Sequence, residues 1–319
     1  MNDRKTSTIV TRRQFLTGAC LGVAGLWLAP RYLFAQSSNL VTASRDGGAA
    51  AKITVQNLRG GVSVLSGSGG NIAVLSGADG KILVDAGLTT SKRRIAEALA
   101  SINADPVRHL INTHWHFDHT NGNEWLHSAG ARIIAHENTR KHLSTVTRVE
   151  TWNFTFPPSP ATALPTEVFK QDLTLHLNGA MLVLKSYEPA HTDSDISVEF
   201  TEAEILHTGD TWWNGHFPFI DYSTGGSIPG AIRAAEANIA RVTDKTLIIP
   251  GHGPVGDKSA LIEFRDMLVT IRDKVAALKQ QGKSLDEIVV AAPAADYEAK
   301  WGGFFINGKT FTSLVYAGV

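Results

Sequence analysis

The sequence His114-Trp115-His116-Phe117-Asp118-His119 places four potential metal ligands within six residues. It follows an apolar run, Val107–Ile111, which predicts a buried strand. Residues two apart in an extended chain point to the same side, so His114 and His116 can bind one ion together. Asp118 and His119 fall where the chain turns into a predicted helix, and they can face a second ion. Crowded imidazoles and a carboxylate destabilise one another unless a cation organises them, so the stretch predicts a metal site.

Three further candidate ligands each follow an apolar segment of the chain. They are His191 after Met181–Leu184, Asp210 after Ile205–Leu206, and His252 after Thr246–Ile249. Strand ends followed by turns that contain Gly or Pro are where site residues collect. The combined set of five histidines and two aspartates suits zinc and tolerates iron or manganese.

The order of these residues resembles the metallo-β-lactamase superfamily, between about Ile53 and Pro254. That family has His-x-His-x-Asp-His, then a lone His, an Asp after a strand, and a His in a Gly-His-Gly turn. The resemblance implies an α/β fold, the four-layer αβ/βα sandwich, with two metals at one edge. It implies the following ligands: His114, His116 and His191 for one metal, Asp118, His119 and His252 for the other, and Asp210 shared by both. It also implies that Asp85, at the end of an early strand, orients ligands without binding a metal.

A pair of metals predicts hydrolysis without a covalent intermediate. Two adjacent metals can share a hydroxide, because they lower the pKa of bound water from 15.7 to about 7. Asp118 is the predicted catalytic residue, which orients this nucleophile and passes a proton to the leaving group. We therefore expect an exported hydrolase with two zinc ions per chain. Its substrate would be a small molecule with a cyclic amide or ester, β-lactam-like or lactone, or a related acyl bond.

Two other functions remain open for the same fold. A mono-iron oxidoreductase of the sulfur dioxygenase type uses similar ligands, and a metal-bound protein without turnover is a third possibility. Strict β-lactamase activity is not favoured, because Asp210 stands near where the family's Cys-containing members place that cysteine. After Asp210, no Lys or Arg occurs until Arg233 to bind a substrate carboxylate.

Aromatic residues near the candidate ligands predict an apolar substrate pocket. The predicted pocket residues are Trp115, Trp152, Trp212, Trp213 and Phe217. Trp152 lies in Thr145–Phe169, an aperiodic, proline-rich segment that predicts either a long loop over the site or an ordered surface loop whose aromatic residues fill a small core of their own. Packing of Phe217 within its own loop is the alternative to a place in the pocket.

The chain divides into four predicted parts. Residues 1–35 have the form of a twin-arginine signal, with Arg12 and Arg13, a short apolar run and a cleavage site near Ala35. Residues 36–51 predict a linker, 52–258 the catalytic domain, and 259–319 a helical segment packed on it. This organisation predicts recognition by the twin-arginine export machinery and a periplasmic location. The apolar run is too short and too rich in glycine for a permanent membrane span.

Charge counts against nucleic acid as a partner. The chain has 30 basic and 30 acidic residues, and residues 1–35 contain five of the former and one of the latter, so removing them leaves a formal charge of −4. A nucleic-acid surface would need a basic stripe. The one cysteine, Cys20, lies in the predicted signal, so the mature protein would have neither a disulfide nor a thiolate ligand.

Short apolar runs separated by turns predict the strands. Those at 53–58, 62–65, 72–75 and 81–84 predict an antiparallel meander, and a second strand-rich half follows from 173 to 207. Helical spacing of apolar residues predicts helices at 91–102, 228–242 and 259–281.

Overall fold

The computed structural model describes residues 40–319. The predicted signal peptide, its cleavage site and the first residues of the predicted linker lie outside this range. Among the described residues, no helix combines the length and apolar character that a membrane span requires.

The strands are, in chain order, β1 (Thr54–Asn57), β2 (Val62–Ser66), β3 (Ile72–Leu75), β4 (Lys81–Val84), β5 (Val107–Asn112), β6 (Arg132–His136), β7 (Thr147–Val149), β8 (Phe154–Phe156), β9 (Glu167–Phe169), β10 (Leu173–Leu177), β11 (Ala180–Ser186), β12 (Ile196–Phe200), β13 (Ile205–His207) and β14 (Leu247–Ile249). The α-helices are α1 (Leu40–Ala50), α2 (Lys92–Ile102), α3 (Phe117–Thr120), α4 (Asn123–Ser128), α5 (Glu137–Ser144), α6 (Ile228–Arg241), α7 (Lys258–Gln280), α8 (Leu285–Ala291), α9 (Glu298–Trp301) and α10 (Gly308–Ala317).

Two large sheets carry the fold. The first has the order β1-β2-β3-β4-β5-β6-β9, and the second has the order β10-β11-β12-β13-β14. Strands β1 to β4 pair antiparallel, which confirms the predicted meander, whereas β4, β5, β6 and β9 pair in parallel. Parallel pairing puts the carboxyl ends of these strands at one edge, where the turns that follow them meet.

Alternate residues of the strands enter different cores. Ile82 and Val84 face the second sheet and pack with Leu184 and Val198, whereas Leu83 faces α2. The outer face of the second sheet packs on a third cluster built largely from α6, α7 and α10. The resulting order of helices, sheet, sheet and helices confirms the predicted four-layer sandwich, and covered faces explain why central strands are apolar throughout.

The predicted linker is wrong for residues 40–50, which form α1. Val41 is buried in the main helical core, and Gly48 lies so close to Leu88 and Thr90 that a side chain there would meet Thr90 Oγ1 at 2.6 Å. Ser91 Oγ also donates to the Gly48 carbonyl at 2.6 Å. Small residues obscure the helical period of this segment in the sequence, and contacts with the body of the protein stabilise it.

The predicted long loop at 145–169 is also more ordered than its sequence suggests. Strands β7 and β8 form a hairpin, and β9 adds an edge strand to the first sheet. Trp152 and Phe156 are buried in the helical core. Strands of three residues are too short to show a period, which is why the sequence pattern did not reveal them.

Candidate metal centre

The predicted ligands meet at one edge of the two sheets. His114 follows β5, and His116 precedes α3, whose first residues include Asp118 and His119. His191, Asp210 and His252 come from the turns after β11, β13 and β14. Because these strands end at the same edge, residues more than 100 positions apart in sequence become neighbours.

The first ligand group consists of His114, His116, His191 and Asp210, all buried. His191 Nε2 lies 2.8 Å from His116 Nδ1 and 3.4 Å from Asp210 Oδ2. His114 Nε2 lies 3.8 Å from the same carboxylate oxygen. Candidate ligand atoms within a group all lie within 4.8 Å of one another, a spacing that one ion can bridge.

The second ligand group consists of Asp118, His119 and His252. His252 Nε2 lies 3.3 Å from Asp118 Oδ2 and 3.3 Å from His119 Nε2. Asp210 reaches this group too, with Oδ1 at 3.2 Å from His119 Nε2 and Oδ2 at 3.5 Å from His252 Nε2. Asp210 therefore lies between the two groups, as a shared ligand must.

The environment of the His114 ring indicates that this arrangement fits a metal ion. Its Nε2 atom is buried and has no hydrogen-bond partner among the described residues. A buried ring nitrogen without a partner is costly, and a cation in the first group would satisfy it. Nitrogen and oxygen donors in two adjacent groups suit a pair of zinc ions.

In His116 and His191, the ring nitrogen that does not face the other ligands has an oxygen partner. His116 Nε2 contacts Asp221 Oδ2 at 3.1 Å, and His191 Nδ1 contacts the Phe219 carbonyl at 2.7 Å. A nitrogen that donates to these oxygens leaves the other nitrogen of the ring free to accept a metal. These contacts therefore fix both the orientation and the tautomer that metal binding requires.

Asp85 lies beneath the second group, where the resemblance placed an orienting residue. Its Oδ2 contacts His119 Nδ1 at 2.7 Å, and its two oxygens accept from Thr113 N and Thr113 Oγ1, each at 2.8 Å. Its backbone is in the left-handed region, with a φ of 68°. Aspartate tolerates this conformation better than most residues, and the three hydrogen bonds hold it there.

Sequence patterns missed two orienting carboxylates, Asp221 and Asp195. Asp221 also accepts from Thr224 Oγ1 at 2.6 Å, and Asp195 Oδ2 accepts from the His191 backbone N–H at 2.7 Å. Burial raises the pKa of Asp195 to about 6. The Asp193-Ser194-Asp195 turn after His191 was a visible signal, whereas nothing in the sequence singles out Asp221.

Without a metal, the carboxylates of Asp118 and Asp210 stabilise a proton on the histidines of the second group. Burial would raise the pKa of Asp118, but the charge of His119 and a hydrogen bond from His252 outweigh it and hold the pKa at about 2. Burial would lower the pKa of His252, but Asp210 and Asp118 raise it to about 9. A metal ion must therefore displace a proton from His252 when it binds.

Two cavities adjoin the ligands. An inner cavity of about 30 Å³ is lined by His116, His191, Asp210 and the aromatic residues Trp152, Trp213 and Phe219. An outer cavity of about 740 Å³ reaches solvent past His252 and His216. Asp118 lines both cavities, which puts its carboxylate on the path from solvent to the ligands.

Three of the predicted pocket residues lie in the core instead. Trp115, Trp212 and Phe217 line neither the inner nor the outer cavity. Trp115 Nε1 donates to Thr224 Oγ1 at 3.1 Å, and Phe217 stacks on Phe311 at 5.0 Å between ring centroids. Adjacent side chains in extended backbone point to opposite sides, which turns Trp115 away from His114 and His116, and packing in the helical core holds Trp212 and Phe217.

Several cavity residues come from segments that the sequence did not link to the site. Leu40 and Ser44 belong to α1, and Phe304 and Phe305 belong to the turn between α9 and α10. Phe304 and Phe305 are 44% and 41% exposed. In the sequence, the pair of adjacent phenylalanines after Gly302-Gly303 was a signal that could have indicated a binding role.

Comparison with known proteins agrees with the fold. The sequence profile of the metallo-beta-lactamase superfamily matches residues 65–262, more than half of the chain. The protein therefore belongs to the metallo-beta-lactamase superfamily.

The comparison also finds an individual relative with a named activity. A hydroxyacylglutathione hydrolase from Polaromonas sp. is 29% identical over 157 residues, which cover 49% of this chain and 52% of that relative. The match thus spans about half of the relative's length.

Two solved structures share the fold. The stereoselective inverting sec-alkylsulfatase Pisa1 from Pseudomonas sp. superposes with a TM-score of 0.62 at 16% identity, over 83% of this chain and 50% of that chain. A metallo-beta-lactamase from Pontibacter korlensis superposes with a TM-score of 0.55 at 19% identity, over 68% of this chain and 98% of that chain. At these identities the similarity concerns the fold alone.

Proposed function

We propose that the protein is a dinuclear zinc hydrolase that cleaves a cyclic ester, a cyclic amide or a related acyl bond. The observation that carries this proposal is the convergence of two ligand groups on Asp210, beside the unpartnered Nε2 of His114. When bound, a pair of zinc ions supplies an activated water and polarises a carbonyl group. The chain's own residues supply the ligands, the proton acceptor and the shape of the cavity.

Asp118 is the proposed proton carrier. Its carboxylate is anionic, because its pKa lies at about 2, and its side chain is 17% exposed where the two cavities meet. It can accept a proton from an attacking water and deliver that proton to the leaving oxygen or nitrogen. Its hydrogen bond with His252 keeps the carboxylate oriented for both transfers.

The cavity walls favour a substrate whose substituent is uncharged. No Lys or Arg is among the described residues that line the inner and outer cavities. The one basic residue of α1, Arg45, lies over the rings of Phe117 and Phe154 at 5.6 and 6.0 Å, and it lines a separate cavity. A substrate carboxylate or sulfate would therefore meet no lysine or arginine side chain in these walls. Leu40, Phe304 and Phe305 offer apolar surface instead.

The geometry weighs against the two alternative functions. A mono-iron oxidoreductase needs one ligand group, whereas a second group of Asp118, His119 and His252 lies next to the first. A metal-binding protein without turnover needs no path to the ligands, whereas the outer cavity leads from solvent to Asp118.

The deciding experiment combines metal analysis with a hydrolysis panel on the purified protein. We expect two zinc ions per chain and metal-dependent hydrolysis of lactones, lactams or thioesters. His116→Ala should lower the metal content and reduce hydrolysis by more than about a thousandfold, because a bound metal contributes several kcal/mol to the transition state. His176→Ala is the matched control, since His176 is exposed and far from the ligands in sequence.

One iron per chain with oxidation of a persulfide would establish the oxidoreductase, and tightly bound metal without any turnover would establish the binding protein.

We also propose twin-arginine export to the periplasm, supported by Arg12, Arg13 and the apolar run after them. A metal site completed from distant strands suits a pathway that carries folded proteins. Replacing both arginines by lysine should leave the unprocessed chain in the cytoplasm, as measured by cell fractionation and N-terminal sequencing. Processing near Ala35 that continues in this variant would show that another export route operates.

A further inference from the structure

Four residues line both cavities and thus form the passage between them: Leu40, Ser44, Asp118 and Phe305. We call this set the neck. The inner cavity beyond it has a volume of about 30 Å³, room for the reacting group and little else. Whatever part of a substrate adjoins the bond to be cleaved must therefore sit in the neck.

The neck joins two segments that are distant in sequence. Leu40 and Ser44 are four residues apart on α1, so they lie on the same face of that helix. Phe305 comes from the turn before α10, and its ring lies 5.4 Å from the ring of Trp213 in the inner cavity. Apart from Asp118, the neck is made by residues outside the ligand motifs.

Contacts at both ends of α1 fix the position of this helix over the ligands. Ser91 Oγ and the Arg94 guanidinium donate to the carbonyls of Gly48 and Ala49, and Gly48 lies against Leu88 and Thr90. Val41 is buried in the helical core. A helix held at both ends in this way presents Leu40 at a defined place, which selection by size requires.

We propose that the neck sets substrate specificity, with Leu40 and Phe305 excluding branched substituents next to the bond that is cleaved. This inference rests on the proposed acyl-bond hydrolysis and specifies its substrate. A substrate with a single substituent on the carbon beside its carbonyl passes between the two side chains, and the apolar remainder of that substituent occupies the outer cavity. A second substituent on that carbon meets Leu40 or Phe305. Both residues are specificity-determining by contact, whereas Asp118 handles the proton.

The test compares a pair of lactones in the zinc-loaded full-length protein. One is α-octyl-γ-butyrolactone, and the other carries an additional α-methyl group. Leu40→Ala and Phe305→Ala should each raise the ratio of kcat/KM for the α,α-disubstituted lactone over the α-monosubstituted one by about tenfold, the usual scale for one methyl group in an apolar pocket. The different intrinsic reactivities of the two lactones cancel in this comparison. Thr42→Ala is the matched control, because Thr42 is exposed on the same helix and lines neither cavity.

A binding measurement keeps the neck testable if the lactones are not cleaved. The probes are 2-octylcyclopentanone and 2-methyl-2-octylcyclopentanone, which no hydrolase can cleave, with affinities from calorimetry. Leu40→Ala and Phe305→Ala should improve relative binding of the branched ketone by about tenfold, and Thr42→Ala should change it less than twofold. If the zinc-loaded protein binds the ketones with this pattern but cleaves no acyl substrate, the proposed function is wrong. The proposed role of the neck in selecting ligands would then stand. Variants that match Thr42→Ala in both measurements would overturn the neck.

Discussion

The ligands and the cavity walls are built in opposite ways. The ligands follow strand ends, and nearly all are fully buried with charged or hydrogen-bonding partners. The walls of the outer cavity include residues of α1 and of the turn around Phe304 and Phe305, and no Lys or Arg is among the described residues that line it. In the proposed hydrolase, the core strands would hold the metal ligands, and the segments at the margin would shape the way to them. Changes to the two regions should have separable effects.

Asp210 provides the most damaging change to the ligand region, because it is shared by both groups. Asp210→Asn should remove at least one zinc ion per chain and lower hydrolysis by more than about a thousandfold, since an amide neither bridges two cations nor carries charge. Metal analysis and steady-state kinetics would show this. Asp244→Asn, on the exposed surface, should change neither measurement. Two bound zinc ions in Asp210→Asn would mean that Asp210 is not the shared ligand.

Asp221 tests whether orientation of a ligand matters as much as its presence. Asp221→Asn should weaken zinc binding by about 10- to 100-fold, because His116 Nε2 loses the carboxylate that fixes its tautomer. Competition with a chelator would give the affinity. Unchanged zinc affinity in this variant would reduce Asp221 to a packing residue.

Zinc affinity should also depend on pH through His252. Its pKa is raised to about 9, so it carries a proton at pH 7 that zinc must displace. Raising the pH from 7 to 8 should therefore strengthen zinc binding by about tenfold for each proton released. Chelator competition at a series of pH values, with free zinc held by a buffer, measures this slope. An affinity independent of pH would show that His252 is already neutral.

The smallest expected effect concerns charge in the cavity wall. Ser44→Arg should increase kcat/KM for a lactam with a free carboxylate, relative to its methyl ester, by up to about fivefold, the scale of one exposed ion pair. Ser44→Gln, similar in length but uncharged, is the control. A shift of the same size in both variants would attribute the effect to bulk rather than charge.

Sequence reasoning succeeded wherever a short pattern determines a structure. Short apolar runs in 62–84 predicted strands β2 to β4, and the ligand order predicted which residues converge. It failed at α1, at the β7–β8 hairpin, and at Trp115, Trp212 and Phe217. In each of these cases local pattern was weak or pointed the wrong way, and packing with distant residues decided the outcome.

By itself, the sequence determined the ligand chemistry and the family, because donor atoms and their order along strand ends are local properties. Only the tertiary structure decided which oxygens orient the ligands, as with Asp221 and the Phe219 carbonyl, and which side chains line the way to them. Leu40 and Phe305 line the same two cavities from nearly opposite ends of the described residues, and no local pattern encodes a distance between such remote residues.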